Sequence, residues 1–337
     1  MTQPVEVRSA RRYPQRPRPN ARQWTLHGML LLLTFCTVTI CGVVWTGGLD
    51  LNAVTTATGA SGSGRDLLLL PVYYVRAVIE VVRAIFANPA LLKEGLKFSL
   101  PLLAILASHE SGHYLFCRYY GVEATLPFFI PQPPLFLFPG TFGAFIRMKS
   151  AVPTRRALFD IGLAGPLAGF VVIVPVAIAG ILTLHHINIP PGESGLTFHD
   201  PLLFRLIALL FRIDLDNSAA NSLYLAAWVG VLVTALNLMP VGQLDGGHGT
   251  FAMFGPIAHW WIGRIAFLSM VAVTFLGWWR YGTPIMILYV ILLGVMLRVR
   301  HPAPQQIEPL GSVRVAIGIV TLLVFALSFL PFPITFG

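Results

Sequence analysis

Two histidines and a glutamate stand together in the segment His109-Glu110-Ser111-Gly112-His113. If this segment is helical, residues four apart share one face, so both imidazoles can bind the same metal ion. A catalytic zinc site takes three protein ligands and leaves a fourth position for water. Glu110 would then lie beside that water and could act as general base, and later as the acid that protonates the leaving amine. The alternative is a polar helix end whose histidines only form hydrogen bonds.

Asp245 is the best candidate for the third metal ligand. It is the acidic residue of an otherwise uncharged stretch, Asn237 to Gly247, and glycines follow it directly. Glycine lets the backbone pass close to a ligand, and a carboxylate oxygen suits zinc. The alternative is an ordinary Asp-Gly turn. Because both motifs are predicted at the same face of a membrane, the ligand interpretation is favoured. His248, three residues later, is interpreted as a loop histidine, with a supporting contact to a metal ligand as the alternative.

The composition predicts that these motifs lie in an integral membrane protein. The chain has 337 residues, of which 55% are hydrophobic and 11% are charged, whereas soluble domains carry about a quarter charged residues. The apolar residues occur in blocks, several of which reach the roughly 20 residues that span a bilayer. Histidine and glutamate inside such a block are costly and are functional by default.

The net charge of +9 does not indicate a nucleic-acid partner, because the basic residues form no patch interleaved with aromatic residues. Six arginines precede the first apolar block, as in an orientation signal that stays in the cytoplasm: Arg8, Arg11, Arg12, Arg16, Arg18 and Arg22. The sequence therefore predicts a multi-pass protein whose N-terminus and active-site opening are cytoplasmic. A prokaryotic plasma membrane fits the short basic tail best, and a plastid or other organelle is the alternative.

The predicted fold class is an all-α polytopic membrane protein with about seven transmembrane helices. The expected spans are Leu26–Gly47, Leu96–Phe116, Ala157–Leu184, Leu223–Leu238, 262–279, 283–297 and 313–330. Four regions follow: a basic, disordered tail (1–25); the first transmembrane helix, a loop and an amphipathic segment (26–95); a catalytic membrane core (96–250); and C-terminal transmembrane helices (251–337).

A proline- and glycine-rich segment follows the catalytic helix, from Val122 to Ser150. Its proline density excludes a continuous helix, so we predict a membrane-dipping loop that resembles a β-hairpin. Backbone of this kind is tolerated at membrane depth only where protein covers it or where it lines a cavity. In the next span, Gly165 and Gly169 form a small-xxx-small face that predicts close helix packing.

The two motifs, H-E-x-x-H in one span and N-x-x-P-x-x-x-L-D-G-G at another, resemble the site-2 protease family of intramembrane metalloproteases over residues 96–300. The resemblance implies three helices that hold one Zn²⁺ per chain, with His109, His113 and Asp245 as ligands and Glu110 as catalytic acid and base. It also implies that Asn237 contacts the substrate or polarises its carbonyl group.

The same resemblance implies that the proline-rich segment pairs with unwound substrate. The edge from Thr141 to Met148 is a plausible pairing strand, with Gly143 and Phe145 as substrate-binding residues. A lipid-facing plug loop is the alternative. The expected substrates are transmembrane or membrane-associated proteins, cut in regulated intramembrane proteolysis. Two other hypotheses are a non-catalytic scaffold, which predicts a damaged ligand set, and an ion-coupled transporter, which predicts internal repeats. The oligomeric state is not predicted.

Overall fold

The computed structural model describes residues 19–46, 66–135, 139–186, 196–282, 286–299, 301 and 304–336. Within these ranges the chain is mostly helical, with helices α1 Ala21–Trp45, α2 Asp66–Ala87, α3 Pro89–Tyr119, α4 Arg155–Leu182, α5 Leu202–Phe211, α6 Ser222–Asn237, α7 Asp245–Tyr281, α8 Ile287–Met296 and α9 Ser312–Ser328. The short strands are β1 Phe128–Pro131, β2 Thr141–Phe145, β3 His185–His186, β4 Leu196–Phe198, β5 Ser218–Ala219 and β6 Ile334–Phe336. Most of the predicted tail (1–25) falls outside the described residues, as does the loop expected between the first transmembrane helix and the amphipathic segment.

Three helices are long and apolar enough to cross a membrane: α1, α4 and α7. Four further apolar helices, α5, α6, α8 and α9, have only 10–17 residues, whereas a straight span needs about 20. The prediction of a mostly helical chain with several candidate spans is thus confirmed. The larger number of about seven spans stays a prediction.

Helix α1 begins with a capping box and packs against α3 and, less extensively, against α2. The Asn20 side chain accepts a hydrogen bond from the Gln23 backbone at 2.9 Å, and the Gln23 side chain accepts one from the Asn20 backbone at 3.0 Å. This capping box starts α1 at Ala21, earlier than the predicted Leu26. The predicted amphipathic segment is α2, whose buried Val81 and Ile85 pack in one apolar cluster with α1.

The core is built where α3, α4 and α6 pack against one another. Phe98 and Ile105 of α3, Ile173 of α4 and Trp228 of α6 are almost fully buried in one cluster. Closer to the chemistry, Gly112 brings α3 against the backbone of α4, since a Cβ there would lie 2.4 Å from the Ala164 carbonyl oxygen. Glycine is required for that approach, and the approach fixes the face of α3 that carries both histidines.

The proline-rich segment contains an antiparallel pair of strands, β1 and β2, in which Phe128 lies opposite Phe145 with an irregularity before Pro131. The rings of Phe128 and Phe145 stack with centroids 5.3 Å apart. Helix α1 packs against this pair, and its Thr37 side chain donates a hydrogen bond at 2.9 Å to the carbonyl of Gly140, the residue before β2. The location of this pair within a bilayer stays a prediction.

Helix α7 is two helices joined at a sharp bend. Gly255 has φ 81° and ψ 178° inside it, and Pro256 follows; a positive φ favours glycine, and proline cannot continue the hydrogen-bond ladder. The first part begins with Asp245. At its far end, the Arg155 side chain donates hydrogen bonds to the carbonyls of Ala252 and, at 2.7 Å, of Met253. The far end of this short helix is therefore held by a side chain from the start of α4.

Candidate metal centre

Two side chains of α3 meet a third from a distant part of the sequence in the core. His109 and His113 lie one turn apart on α3, are buried, and have their Nε2 atoms 3.1 Å apart. Asp245, the first residue of α7, places one carboxylate oxygen 3.1 Å from His109 Nε2 and the other 3.4 Å from His113 Nε2. One donor atom from each of the three residues lies within 4.8 Å of the others. The structure thus brings together the three predicted ligands.

This donor set fits a catalytic zinc ion. Two imidazoles and a carboxylate are a common set of three protein ligands for such sites. A carbonyl group of α4 orients the ring of His113, because His113 Nδ1 lies 2.7 Å from the Ile161 carbonyl oxygen. A hydrogen bond from Nδ1–H to that carbonyl leaves the Nε2 lone pair facing His109 and Asp245. The ordinary Asp-Gly turn considered for Asp245 is not found, since the residue begins a helix.

Glu110 lies beside the three ligand residues without belonging to them. It is buried, and its nearest carboxylate oxygen is 4.0 Å from His109 Nε2. Ile146, the residue that follows β2, lines the same cavity as this carboxylate. A carboxylate held next to a metal position, but not in it, is suited to take and return a proton. The end of β2 therefore lies at the same cavity as the candidate catalytic residue.

The small-xxx-small face of α4 packs directly onto the two histidines. A Cβ on Gly165 would lie 2.1 Å from His113 Nε2, and a Cβ on Gly169 would lie 3.3 Å from the Cβ of His109. The predicted close packing is therefore present. The sequence pattern alone did not indicate that the partner surface would be the metal-binding face of α3.

A cavity of about 590 Å³ opens beside the centre. Its lining includes the three ligand residues and Glu110, and also Asn237 at the end of α6, Gln243 and residues 144–148. The Asn237 amide nitrogen lies 3.5 Å from His109 Nε2. Phe145 lines the cavity, whereas Gly143 does not; Gly143 instead adopts φ 95°, which favours glycine. Gln243 was not among the residues predicted to form the site.

His248 differs from its expected loop position. It lies in the first turn of α7, is buried, and its Nδ1 is 2.8 Å from Nε2 of His301. The expectation of a loop histidine was therefore wrong, because the helix α7 begins at Asp245 and includes His248. No sequence signal linked these two histidines, since 53 positions separate them.

Comparison with known proteins identifies relatives of this chain. The family model described as Peptidase family M50 matches residues 97–277. The "Probable zinc metalloprotease EGY2, chloroplastic" of Oryza sativa subsp. indica is 31% identical over 262 residues, which is 74% of this chain and 45% of that protein. Its namesake from Arabidopsis thaliana is 30% identical over 262 residues, covering 74% and 44%. "Probable zinc metalloprotease EGY1, chloroplastic" of Arabidopsis thaliana is 30% identical over 248 residues, covering 69% and 43%. No solved structure matches significantly.

Proposed function

This chain belongs to peptidase family M50, the site-2 protease family that its motifs resemble, and we propose that it is a membrane zinc metalloendopeptidase. Its proposed reaction is hydrolysis of peptide bonds in or near transmembrane segments of protein substrates, as in regulated intramembrane proteolysis. The observation that carries this proposal is the convergence of His109, His113 and Asp245 beside Glu110 in one buried site. The chain spans less than half the length of the curated relatives it matches, so the proposal rests on the site.

We assign one Zn²⁺ per chain to His109, His113 and Asp245. When bound there, Zn²⁺ supplies Lewis acidity and lowers the pKa of a coordinated water. Glu110 accepts a proton from the attacking water as the new C–O bond forms, and donates that proton to the amine nitrogen as the C–N bond breaks. The Asn237 amide, which lies close to His109, donates a hydrogen bond to the scissile carbonyl oxygen and stabilises its developing negative charge.

The substrate is proposed to lie extended along the strand edge that lines the cavity. Residues 144–148 face the ligand residues there, and Ile146 lines the cavity together with Glu110. A peptide in a helix has its amides in internal hydrogen bonds, so it must unwind before hydrolysis. Pairing with a strand edge replaces those hydrogen bonds by new ones and is largely independent of side-chain identity. Phe145 and Gly143 shape this edge, the first through its ring and the second through its backbone conformation.

The chain is proposed to be a multi-pass membrane protein. Its basic N-terminal tail and the opening of its site are proposed to lie on the same side of the membrane. That side is the cytoplasm in a prokaryotic plasma membrane. The names of the relatives include a chloroplast location, for which the equivalent side is the stroma. The orientation is tested by labelling a Ser9→Cys variant from either face of sealed vesicles. Labelling only from the face opposite the cytoplasm or stroma would show that the proposed orientation is reversed.

The proposed function is tested with purified full-length chain and a single-span reporter protein in liposomes. Wild type is expected to cut the reporter, 1,10-phenanthroline to stop cleavage, and added Zn²⁺ to restore it. A reporter with one cysteine near the cut is expected to crosslink to a Phe145→Cys variant that also carries Glu110→Gln. A chain that binds the reporter but never cuts it, with or without Zn²⁺, would favour the scaffold hypothesis instead.

A further inference from the structure

A second cavity lies between α7 and the end of α8, and its volume is about 410 Å³. It shares no lining residue with the cavity of the metal centre. Its ionisable lining residues are all basic, namely Arg264, Arg298, His259 and His301. The function proposed above assigns no task to this cluster.

The two arginines have no acidic partner in the part of the chain that the structure describes. No ion pair within 4.0 Å involves either of them, and the sequence has no aspartate or glutamate between Asp245 and Glu308. Arg264 is held by Trp260, since its guanidinium carbon lies 3.3 Å from the centre of the indole ring and Nη1 donates to the Trp260 carbonyl at 3.1 Å. These contacts leave further N–H groups of Arg264 to bind an anion. An anionic ligand could therefore bind to both guanidinium groups without displacing an acidic side chain of the described residues.

The same two arginines also line an adjoining groove of about 470 Å³ between α7 and α8. The rest of its lining is apolar and includes Phe267, Ile291 and Val295. Gly294 has only the Phe267 ring near the position of a Cβ, at 3.5 Å. A free inorganic anion would satisfy the arginines but would leave this apolar groove unfilled. A ligand with both an anionic group and a hydrocarbon chain matches both parts.

We propose that this site binds an anionic phospholipid, with its phosphate group between Arg264 and Arg298 and an acyl chain in the groove. Basic pockets between membrane helices are suited to lipid headgroups, and arginine forms paired hydrogen bonds with phosphate oxygens. Simple snorkelling of two arginines to the interface is the alternative, and it would show no preference for phosphatidylglycerol over phosphatidylcholine and no dependence on this pair.

The position of the site gives the lipid a structural role. Gly263 of α7 packs on the loop before Asp245, with its Cβ position 3.3 Å from the Pro240 carbonyl oxygen. Gly242 in that loop packs against the end of α8, where a Cβ would lie 2.4 Å from the Met296 carbonyl oxygen. A lipid that bridges α7 and α8 therefore holds the two helices that clamp this loop. The proposal concerns binding and stability, and it does not depend on proteolysis.

The test uses delipidated full-length protein in detergent, with native mass spectrometry and thermal unfolding as readouts. Phosphatidylglycerol is expected to bind and to raise the melting temperature, whereas phosphatidylcholine, inorganic phosphate and glycerophosphoglycerol are expected to do neither. The double variant Arg264→Gln, Arg298→Gln is expected to bind phosphatidylglycerol about 10- to 30-fold more weakly, on the basis of the attraction that each basic residue contributes. Arg264→Lys, Arg298→Lys is expected to keep part of the affinity.

Arg280→Gln is the matched control, because Arg280 is exposed at the far end of the same helix α7 and lines neither cavity. It removes one positive charge and is expected to leave phosphatidylglycerol binding unchanged. Equal stabilisation by phosphatidylcholine, a full effect of inorganic phosphate alone, or equal loss of binding in Arg280→Gln would each overturn the proposal. So would a double variant that melts like wild type without lipid and still binds phosphatidylglycerol with full affinity.

Discussion

Glu110→Gln is expected to slow cleavage of the transmembrane reporter by orders of magnitude while leaving zinc bound. The amide has the shape of the carboxylate and can occupy the same buried position, but it cannot take a proton from water. General acid–base catalysis contributes about 10²- to 10⁴-fold to the rate, so we expect kcat to fall by about that factor. Glu110 lies outside the three ligand residues, and the zinc content should therefore stay at the wild-type value.

The measurement is the initial cleavage rate together with zinc content by inductively coupled plasma mass spectrometry. Asn237→Ala is the companion variant: it should keep zinc and lose about 10²- to 10³-fold in kcat, as when an oxyanion donor is removed. His109→Ala should instead lose zinc. A Glu110→Gln protein that cuts as fast as wild type would show that another group moves the proton.

Gly165→Ala is expected to weaken zinc binding strongly although the residue has no side chain to act as a ligand. A Cβ there would lie 2.1 Å from His113 Nε2, well inside contact distance. Neither helix can retreat freely, because Gly112 holds α3 against the Ala164 backbone of α4. His113 must therefore rotate away from Asp245. We expect zinc affinity to fall at least about as much as when a residue supporting a metal ligand is lost, 10- to 100-fold, and cleavage to fall with it.

Two other glycine substitutions serve as controls for Gly165→Ala. Gly28→Ala in α1 adds a methyl group with nothing within 4 Å and should leave zinc binding intact. Gly169→Ala places its Cβ 3.3 Å from the Cβ of His109, so its effect on zinc should be smaller than that of Gly165→Ala. Circular dichroism and thermal unfolding in detergent separate loss of the site from loss of the fold. A folded Gly165→Ala protein with one zinc and wild-type activity would contradict the geometry described for α3 and α4.

Local spacing was enough to predict the centre of the site. His109 and His113 are four residues apart on one helix, so their shared face follows from helical geometry. Asp245 could be proposed because it is an acid in an uncharged, glycine-rich stretch, yet its distance from the histidines is set by packing. That packing depends on glycines whose partners lie on other helices, such as Gly246, where a Cβ would lie 1.9 Å from the Leu238 carbonyl oxygen.

Other features could not be predicted because they depend on contacts between distant segments or on local caps. The pairing of His248 with His301 results from the start of α7 at Asp245 and from the position of the chain after α8. The early start of α1 depends on the Asn20 capping box, a local signal that the hydropathy pattern hides. The number of membrane crossings was harder to predict, because short apolar helices such as the ten-residue α8 give the same hydropathy signal as part of a longer span.

The most direct test of the central claim is zinc content combined with zinc K-edge X-ray absorption of the purified wild-type chain. If His109, His113 and Asp245 hold the metal, the protein should contain about one zinc per chain. Its first shell should then hold only nitrogen and oxygen at about 2.0–2.2 Å, with the scattering pattern of two imidazoles. Absence of zinc, or a first shell with sulfur at about 2.3 Å from cysteine, would contradict the assignment of these three residues as the metal site.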